Sequence, residues 1–389
     1  MEDQSLTFQL LPTPFPNARN NHASVAFNGS SIITVGGSDN YGNTSFAVTL
    51  HNAKTEEFTK FPKMNKPVSH HTTALLDGHV YVIGGIQGRN WTGLKDVIRM
   101  NLLSRKWEVV ESMIEERRGH CTAVHNDTIY SFGGYNERSA ECYTIGGFSG
   151  WRYIPPMEQE RLGAAAVTVV HNIYVLGGYI DGVPSSSMIA FNTSNVTCNE
   201  MAPMPFGLAD CAAAVYSKYI IVLGGLCEDG ITVSDKCLVY DTETDVWFDP
   251  DVSSAQFTTP RYQHTAVLLD SRRLVITGGR GGDGKATKAL ESIHVLGILP
   301  PDVRQREIRA VDDQGRLPIH AGAEHGLGFQ QGMRYLVNNF PESLEIQSNN
   351  GDIPIILAAS GPNADLTMIY ELFKAMLGFN YVQFAHMLV

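Results

Sequence analysis

Residues 71–85 read HTTALLDGHVYVIGG: small and apolar residues, an Asp-Gly pair, an unbroken apolar run and a double glycine. Asp77-Gly78 is a strong hairpin signal, because both residues tolerate the positive φ that two-residue turns require. The run HVYVI lacks polar alternation, which suits a strand covered on both faces. Outward from this stretch the same pattern returns. Apolar runs end in Gly-Gly at Gly37, Gly85, Gly134, Gly178, Gly225 and Gly279, at intervals of 48, 49, 44, 47 and 54 residues. Upstream of each lies a segment of small residues: ASVAF, HTTALL, HCTAVH, AAAVTVV, AAAVY and HTAVLL. Small side chains fit innermost strands that converge on an axis.

Downstream of each glycine pair a third strand is predicted, then a fourth carrying an aromatic residue seven positions after a marker. Tyr240 and Trp247 show this best; Met100 and Trp107, and His51 and Phe58, keep the spacing. The third unit stretches it to eight (Tyr143, Trp151), and the fourth weakens it to Phe191 and Cys198. Such aromatics bury large areas and would wedge neighbouring sheets together. Double glycine, spaced Tyr and Trp, and a period near 50 together resemble the kelch repeat over roughly residues 5–297. The resemblance implies a mainly β fold, a six-bladed kelch β-propeller over residues 1–298. The last unit has three strands, near 263–269, 273–278 and 290–296, but no fourth. LTFQLLP before the first unit matches FTKFP and WEVVESM of other fourth strands. Residues 5–11, with Phe8 in the tryptophan position, are therefore expected to complete the sixth blade.

After Gly297 the double glycines stop. DDQGRLPIHAGAEHG (312–326) recurs in weaker form as NNGDIPIILAASG (349–361), with Gly315 to Gly351 and Pro318 to Pro354 both 36 residues apart. This resembles the ankyrin repeat and implies about two helical repeats over 299–389. Pro318 suits a first helical turn, where its missing N–H costs nothing. The resemblance makes His320 a hydrogen-bonding brace of the turn. Second helices are expected near 329–339, with Met333, Leu336 and Val337 apolar, and near 366–377, with Ile369, Leu372, Phe373 and Met376 apolar.

With 29 Lys+Arg against 40 Asp+Glu, the net charge of −11 argues against a nucleic-acid binder, which needs a concentrated basic surface. No apolar run approaches the ~18 residues that cross a bilayer. The start, MEDQSLTFQLLPTPF, has neither the basic nor the apolar part of a secretory signal. Six cysteines without CxxC spacing are read as reduced thiols, several of them buried, of a cytoplasmic or nuclear protein. The loop GGRGGDGKAT (278–287) satisfies GxGxxG and begins a phosphate-binding pattern. Ala286 stands where a magnesium-binding hydroxyl should be, and the next segment reads as a strand, so it is taken as a blade loop.

Four histidines, His22, His71, His120 and His264, open innermost strands. Four converging imidazoles would suit zinc or copper. Kelch proteins carry structural histidines here, and Ala164 and Cys211 fill the other two blades, so no metal or cofactor is expected. Three positions before those strands stand Arg19, Arg117, Arg161 and Arg261, with Val68 and Leu208 in the remaining blades. These arginines either brace loops through carbonyls or face a partner. Loops between second and third strands, at the same end of the blades, carry Tyr41, Trp91, Tyr135 and Tyr179. Trp, Tyr and Arg dominate interface hot spots. The eight residues are therefore taken as a candidate partner-binding face for a protein, with an acidic peptide as the complementary chemistry. The expected function is a non-catalytic protein-interaction scaffold or adaptor that also uses its ankyrin repeats. Kelch relatives often serve ubiquitin ligases through an upstream domain; the closing strand leaves no room for one, so a ligase role is expected to need a separate subunit. The alternatives are a propeller enzyme acting on a metabolite or glycan, for which the innermost strands offer no acid–base set, and an actin-binding kelch protein.

Overall fold

A computed structural model describes residues 8–147, 150–248, 256–269 and 272–311 and, in the C-terminal part, 316–324, 333, 336–337, 340–344, 346–360, 368–373 and 375–376. Six four-stranded antiparallel sheets follow one another as blades of a propeller. Blade 1 is typical, with strands Ala23–Asn28, Ser31–Val35, Val48–Asn52 and Glu57–Lys60 running from the axis outward. Second strands such as Ser31–Val35, Thr128–Phe132 and Tyr219–Leu223 are buried at every position, as their unbroken apolar runs predict. Innermost strands such as Ala212–Tyr216 alternate between buried and half-buried residues, and they touch one another in a closed cycle around the axis.

Blade 6 takes its outer strand from the other end of the chain. Gln9–Leu10 pairs antiparallel with Leu290–His294, placing Gln9 opposite Ser292 and Leu10 opposite Glu291. Phe8 is buried edge-on against Phe257, 4.8 Å between ring centres. Residues 5–7 of the expected strand lie outside the described residues.

The double glycines join neighbouring blades. The second glycine of each pair donates its N–H to a carbonyl in the lead-in of the next blade: Gly37 to Val68, Gly85 to Arg117, Gly134 to Arg161, Gly178 to Leu208, Gly225 to Arg261 and Gly279 to Arg19, at 2.8–3.0 Å. Only glycine fits. At Gly85 (φ +95°) a Cβ would stand 2.5 Å from the Ser69 carbonyl oxygen.

The helical tail packs against the propeller rather than standing apart. Val295, Leu296, Ile298, Leu299, Val303 and Ile308 share one core with Tyr216, Tyr219 and Ile221 of blade 5 and Leu274, Ile276 and Ile293 of blade 6. Tyr216 Oη donates to Glu307 at 3.3 Å, so the tail sits at the end of the blades opposite the glycine pairs. Prolines open its helices Pro301–Glu307, Pro318–Glu324 and Pro354–Ser360, and the last two pack together. His320 braces the turn: Leu317 N–H donates to its Nδ1 at 3.0 Å, and its Nε2 lies 2.8 Å from the Ile346 carbonyl oxygen. The expectation of ankyrin repeats goes further than these short helices reach. Much of 329–339 and 366–377 lies outside the described residues, while Met333, Leu336, Val337, Met368 and Leu372 are buried. Ile369 and Met376 are half-buried, and Phe373, expected on the apolar face, is half exposed.

Candidate partner-binding face and its collar

The four arginines do not form a partner-facing ring. Arg19, Arg117, Arg161 and Arg261 are buried and their guanidinium groups are turned into their own blades. Nη1 of each donates to the carbonyl of that blade's first glycine: Gly36 at 3.1 Å, Gly133 at 2.8 Å, Gly177 at 3.0 Å and Gly278 at 3.3 Å. Arg117 Nε also donates to Glu141 at 2.9 Å, Arg261 is paired with Glu291, and both glutamates are buried. The reason is energetic. A guanidinium this deep must find carbonyls or a carboxylate, because an unpaired buried charge costs several kcal/mol. Of the two readings left open for these residues, bracing is the one that the geometry fits.

The aromatics lie where their loops should place them. Tyr41 and Trp91 are 77% and 59% exposed, Tyr135 is half exposed and Tyr179 half-buried. Tyr41 and Trp91 flank an open cavity of about 510 Å³ at the channel mouth, shared with His70, Arg89, Tyr262 and Arg280. The cationic groups of this face come from positions the spacing argument passed over. Arg118, next to the buried Arg117, lies over the Tyr135 ring at 3.9 Å and the Trp91 ring at 5.6 Å. The sign that distinguishes these neighbours is subtle: Arg117 continues a spacing shared by four blades and Arg118 does not. His70 packs edge-on to Trp91 at 5.2 Å, and burial beside Arg118 and Arg280 pushes its pKa down to about 4.

Beneath the mouth lies a collar. Asn21 donates its N–H to the Gln263 carbonyl, His70 to Asn21, Gly119 to His70, Gly163 to Gly119, Asp210 to Gly163 and Gln263 to Asp210, at 2.7–3.1 Å. All six residues hold φ between +50° and +66°. Asn, Asp and Gly reach this region readily; His70 and Gln263 are held there by the ring. Asp210 accepts from Gln263 Nε2 at 3.1 Å, and burial pushes its pKa up to about 6.

The four histidines lie just below the collar. His22 Nε2 meets Thr277 Oγ1 at 2.9 Å and His120 Nε2 meets Thr72 Oγ1 at 3.0 Å. Burial drives all four pKa values down, to about 3 for His71 and His264, so the rings are neutral. Among the described residues, no group of three or more His, Cys, Asp or Glu is placed to hold a metal ion. The loop 278–287 turns back on itself, with Gly284 N–H donating to Gly281 at 2.9 Å, and leads into the strand Leu290–His294. No helix N-terminus stands there to receive a phosphate. Cys121, Cys142, Cys211 and Cys237 are buried free thiols, Cys227 is half-buried and Cys198 is exposed. No helix among the described residues is long and apolar enough to cross a membrane.

Comparison with known proteins gives one family and a set of distant relatives. The KLHDC2/KLHL20/DRC7 Kelch-repeats domain matches residues 1–178 and 115–279. Kelch-like protein 26 of Danio rerio is 23% identical over 63% of this chain and 51% of its own length. Beta-scruin of Limulus polyphemus is 28% identical over 64% of this chain and 29% of its own. The chain thus spans about half or less of these relatives. Among solved structures, that of YjhT aligns with a TM-score of 0.62 at 18% identity, over 72% of this chain and 95% of that one. At that identity it shows the fold alone.

Proposed function

The chain belongs to the kelch-repeat domain family, and from that premise we propose that it is a non-catalytic protein-interaction module whose partner docks on the channel-mouth face. The observation that carries this reading is the Arg118 guanidinium lying over the exposed Trp91 and Tyr135 rings, with Tyr41 beside them. Large rigid aromatics and a stacked arginine give contact area at low entropic cost, as at interface hot spots. Arg89 and Arg280 at the same mouth favour a partner segment carrying acidic side chains. A charge-assisted hydrogen bond contributes roughly 1.5–3 kcal/mol, so two of them with aromatic burial support micromolar binding after the cost of association. Exposed Ile356, Tyr370 and Phe373 on the tail offer a second, smaller contact surface.

The test is affinity purification on the intact chain, followed by a binding titration of the recovered partner. Trp91→Ala with Arg118→Ala should weaken it at least about tenfold while the melting temperature stays put. Unchanged affinity would move the site off this face. Cosedimentation with actin filaments that survives this double substitution would favour the cytoskeletal alternative.

A further inference from the structure

Blade 4 lacks two groups that other blades use to seal their inner faces, and both gaps open into one cavity. The first is the aromatic wedge. Trp107, Trp151 and Trp247 each donate Nε1–H to a carbonyl of the preceding blade: Pro62 at 3.0 Å, Glu111 at 3.1 Å and Ala202 at 2.8 Å. Each acceptor stands two residues before a buried methionine, Met64, Met113 or Met204. In blade 4, Cys198 pairs with Phe191 as Trp247 pairs with Tyr240, so a thiol holds the wedge position. The corresponding carbonyl is that of Pro155, two residues before the buried Met157.

The second gap is a carboxylate. Glu141 accepts from Arg117 Nε at 2.9 Å and from the N–H groups of Ile114 at 2.7 Å and Glu115 at 3.4 Å. Glu291 repeats this with Arg261 and with Thr258 N–H at 3.1 Å. Register puts Ile189 in that place in blade 4, since it pairs with Glu200 as Glu141 pairs with Tyr153. Arg161 keeps its Nη bonds to Gly177 and Ser187, but its buried Nε has no partner. Glu158 and Gln159 stand where Ile114 and Glu115 supply N–H donors. Blade 1 also lacks the glutamate, with Thr49 in its place, but there the Phe15 ring covers Arg19 at 4.9 Å.

Glu158, Gln159, Arg161, Ile189 and Cys198 line one cavity of about 360 Å³ between blades 3 and 4. We propose that this cavity binds a small planar aromatic carboxylate, its ring in the place of the missing tryptophan and its carboxylate in the place of the missing glutamate. The chain's own blades supply the template for both halves of the ligand. The carboxylate would accept from Arg161 Nε and the backbone of 158–159, and the ring would lie beside Cys198 and Ile189. The Glu158 and Glu200 side chains at the same cavity select for a monoanion over a dianion. This site is separate from the partner face and stands whether or not that reading holds.

Indole-3-acetate titrated calorimetrically into the full chain is the direct probe. Saturable binding is expected, with neutral indole at least about tenfold weaker, the size of one lost charge-assisted contact. Cys198→Trp should fill the cavity, abolish binding and raise the melting temperature. Ile189→Glu should pair with Arg161 and remove the preference for the acid. A readout that needs no variant is alkylation of Cys198, the exposed thiol, which the bound acid should slow. No saturable heat at millimolar probe, undiminished binding by Cys198→Trp, or alkylation unaffected by the probe would each overturn the proposal. Binding of a tryptophan-terminated peptide but not of the free acid would overturn the small-molecule assignment and give the site to a partner's chain end.

Discussion

Blades 3 and 6 lead in with a buried arginine held by a buried glutamate, whereas blades 2 and 5 lead in with Val68 and Leu208. Yet all four deliver the same backbone carbonyl to the preceding blade's second glycine, at 2.8–3.0 Å. At the glycine end of the blades the seam is therefore closed by main chain. The arginine is an accessory that ties its own first glycine to its third strand. A repeated charged residue in a cyclic fold thus marks the symmetry of the scaffold before it marks a binding surface.

If the seam is main-chain, substituting its glycines should be equally harmful on both kinds of blade. Gly85→Ala, facing Arg117, and Gly178→Ala, facing Leu208, should each cost at least about 3 kcal/mol, through a strained φ and a Cβ within 3 Å of backbone. Denaturant titrations of the two variants decide this; a mild Gly178→Ala would return the seam to the arginine.

Next in size is the accessory itself. Glu141→Ala strands Arg117 as an uncompensated buried charge and should cost about 3–5 kcal/mol in the same titration. A loss below 1 kcal/mol, the scale of an exposed pair, would mean that the Gly133 and Ser139 carbonyls satisfy Arg117 unaided.

A third contrast is between blades with an axial histidine and those with Ala164 or Cys211. His71 and His264 are held near pKa 3, below the unfolded value of 6.5. Their stabilising effect is complete above pH 6.5 and falls away as pH drops toward 3, because the unfolded chain takes up protons that the fold refuses. Asp210, raised from 3.8 to about 6, works oppositely: it favours the fold below pH 3.8 and loses that effect as pH climbs through 6. With several histidines against one aspartate, the melting temperature should fall between pH 7 and 4.5. His71→Ala should flatten that slope; an unchanged slope would show that His71 titrates normally.

The smallest effect belongs to the exposed face. Trp91→Ala or Tyr41→Ala alone should leave unfolding free energy within about 0.5 kcal/mol of the parent, measured beside the glycine variants. A larger loss would make these rings structural, like the arginines.

Much of the propeller was legible because its determinants are local and repeated. Gly-Gly reports a backbone that only glycine can follow, and the seven-residue spacing of Tyr240 and Trp247 reports a register that the structure keeps. The outer strand of blade 6 was legible from the match of LTFQLLP to other fourth strands, and Gln9–Leu10 take that place. What could not be read was which way a side chain turns. Arg117 and Arg118 are neighbours of one kind, and it is the carbonyls of Gly133 and Ser139, with the Glu141 carboxylate, that hold the first of them inward. The collar left no motif, since Asn21, His70, Gly119, Gly163, Asp210 and Gln263 share a φ and not a side chain. The weakness of blade 4 was visible at Cys198 but not at Ile189, because a glutamate occurring in two blades of six is no pattern until the blades are superposed.

The collar has an electrical consequence. Each of the six collar residues gives its amide hydrogen to one neighbour and its carbonyl oxygen to the other, so the circle closes on itself. Every amide hydrogen in the circle is also spent on its neighbour, leaving no cluster of free donors of the kind that cradles anions. The collar backbone thus has no amide hydrogen left to offer an anion. The ionic preference of the mouth then falls to side chains such as Arg89, Arg118 and Arg280, which can be exchanged without touching the circuit that holds the blades.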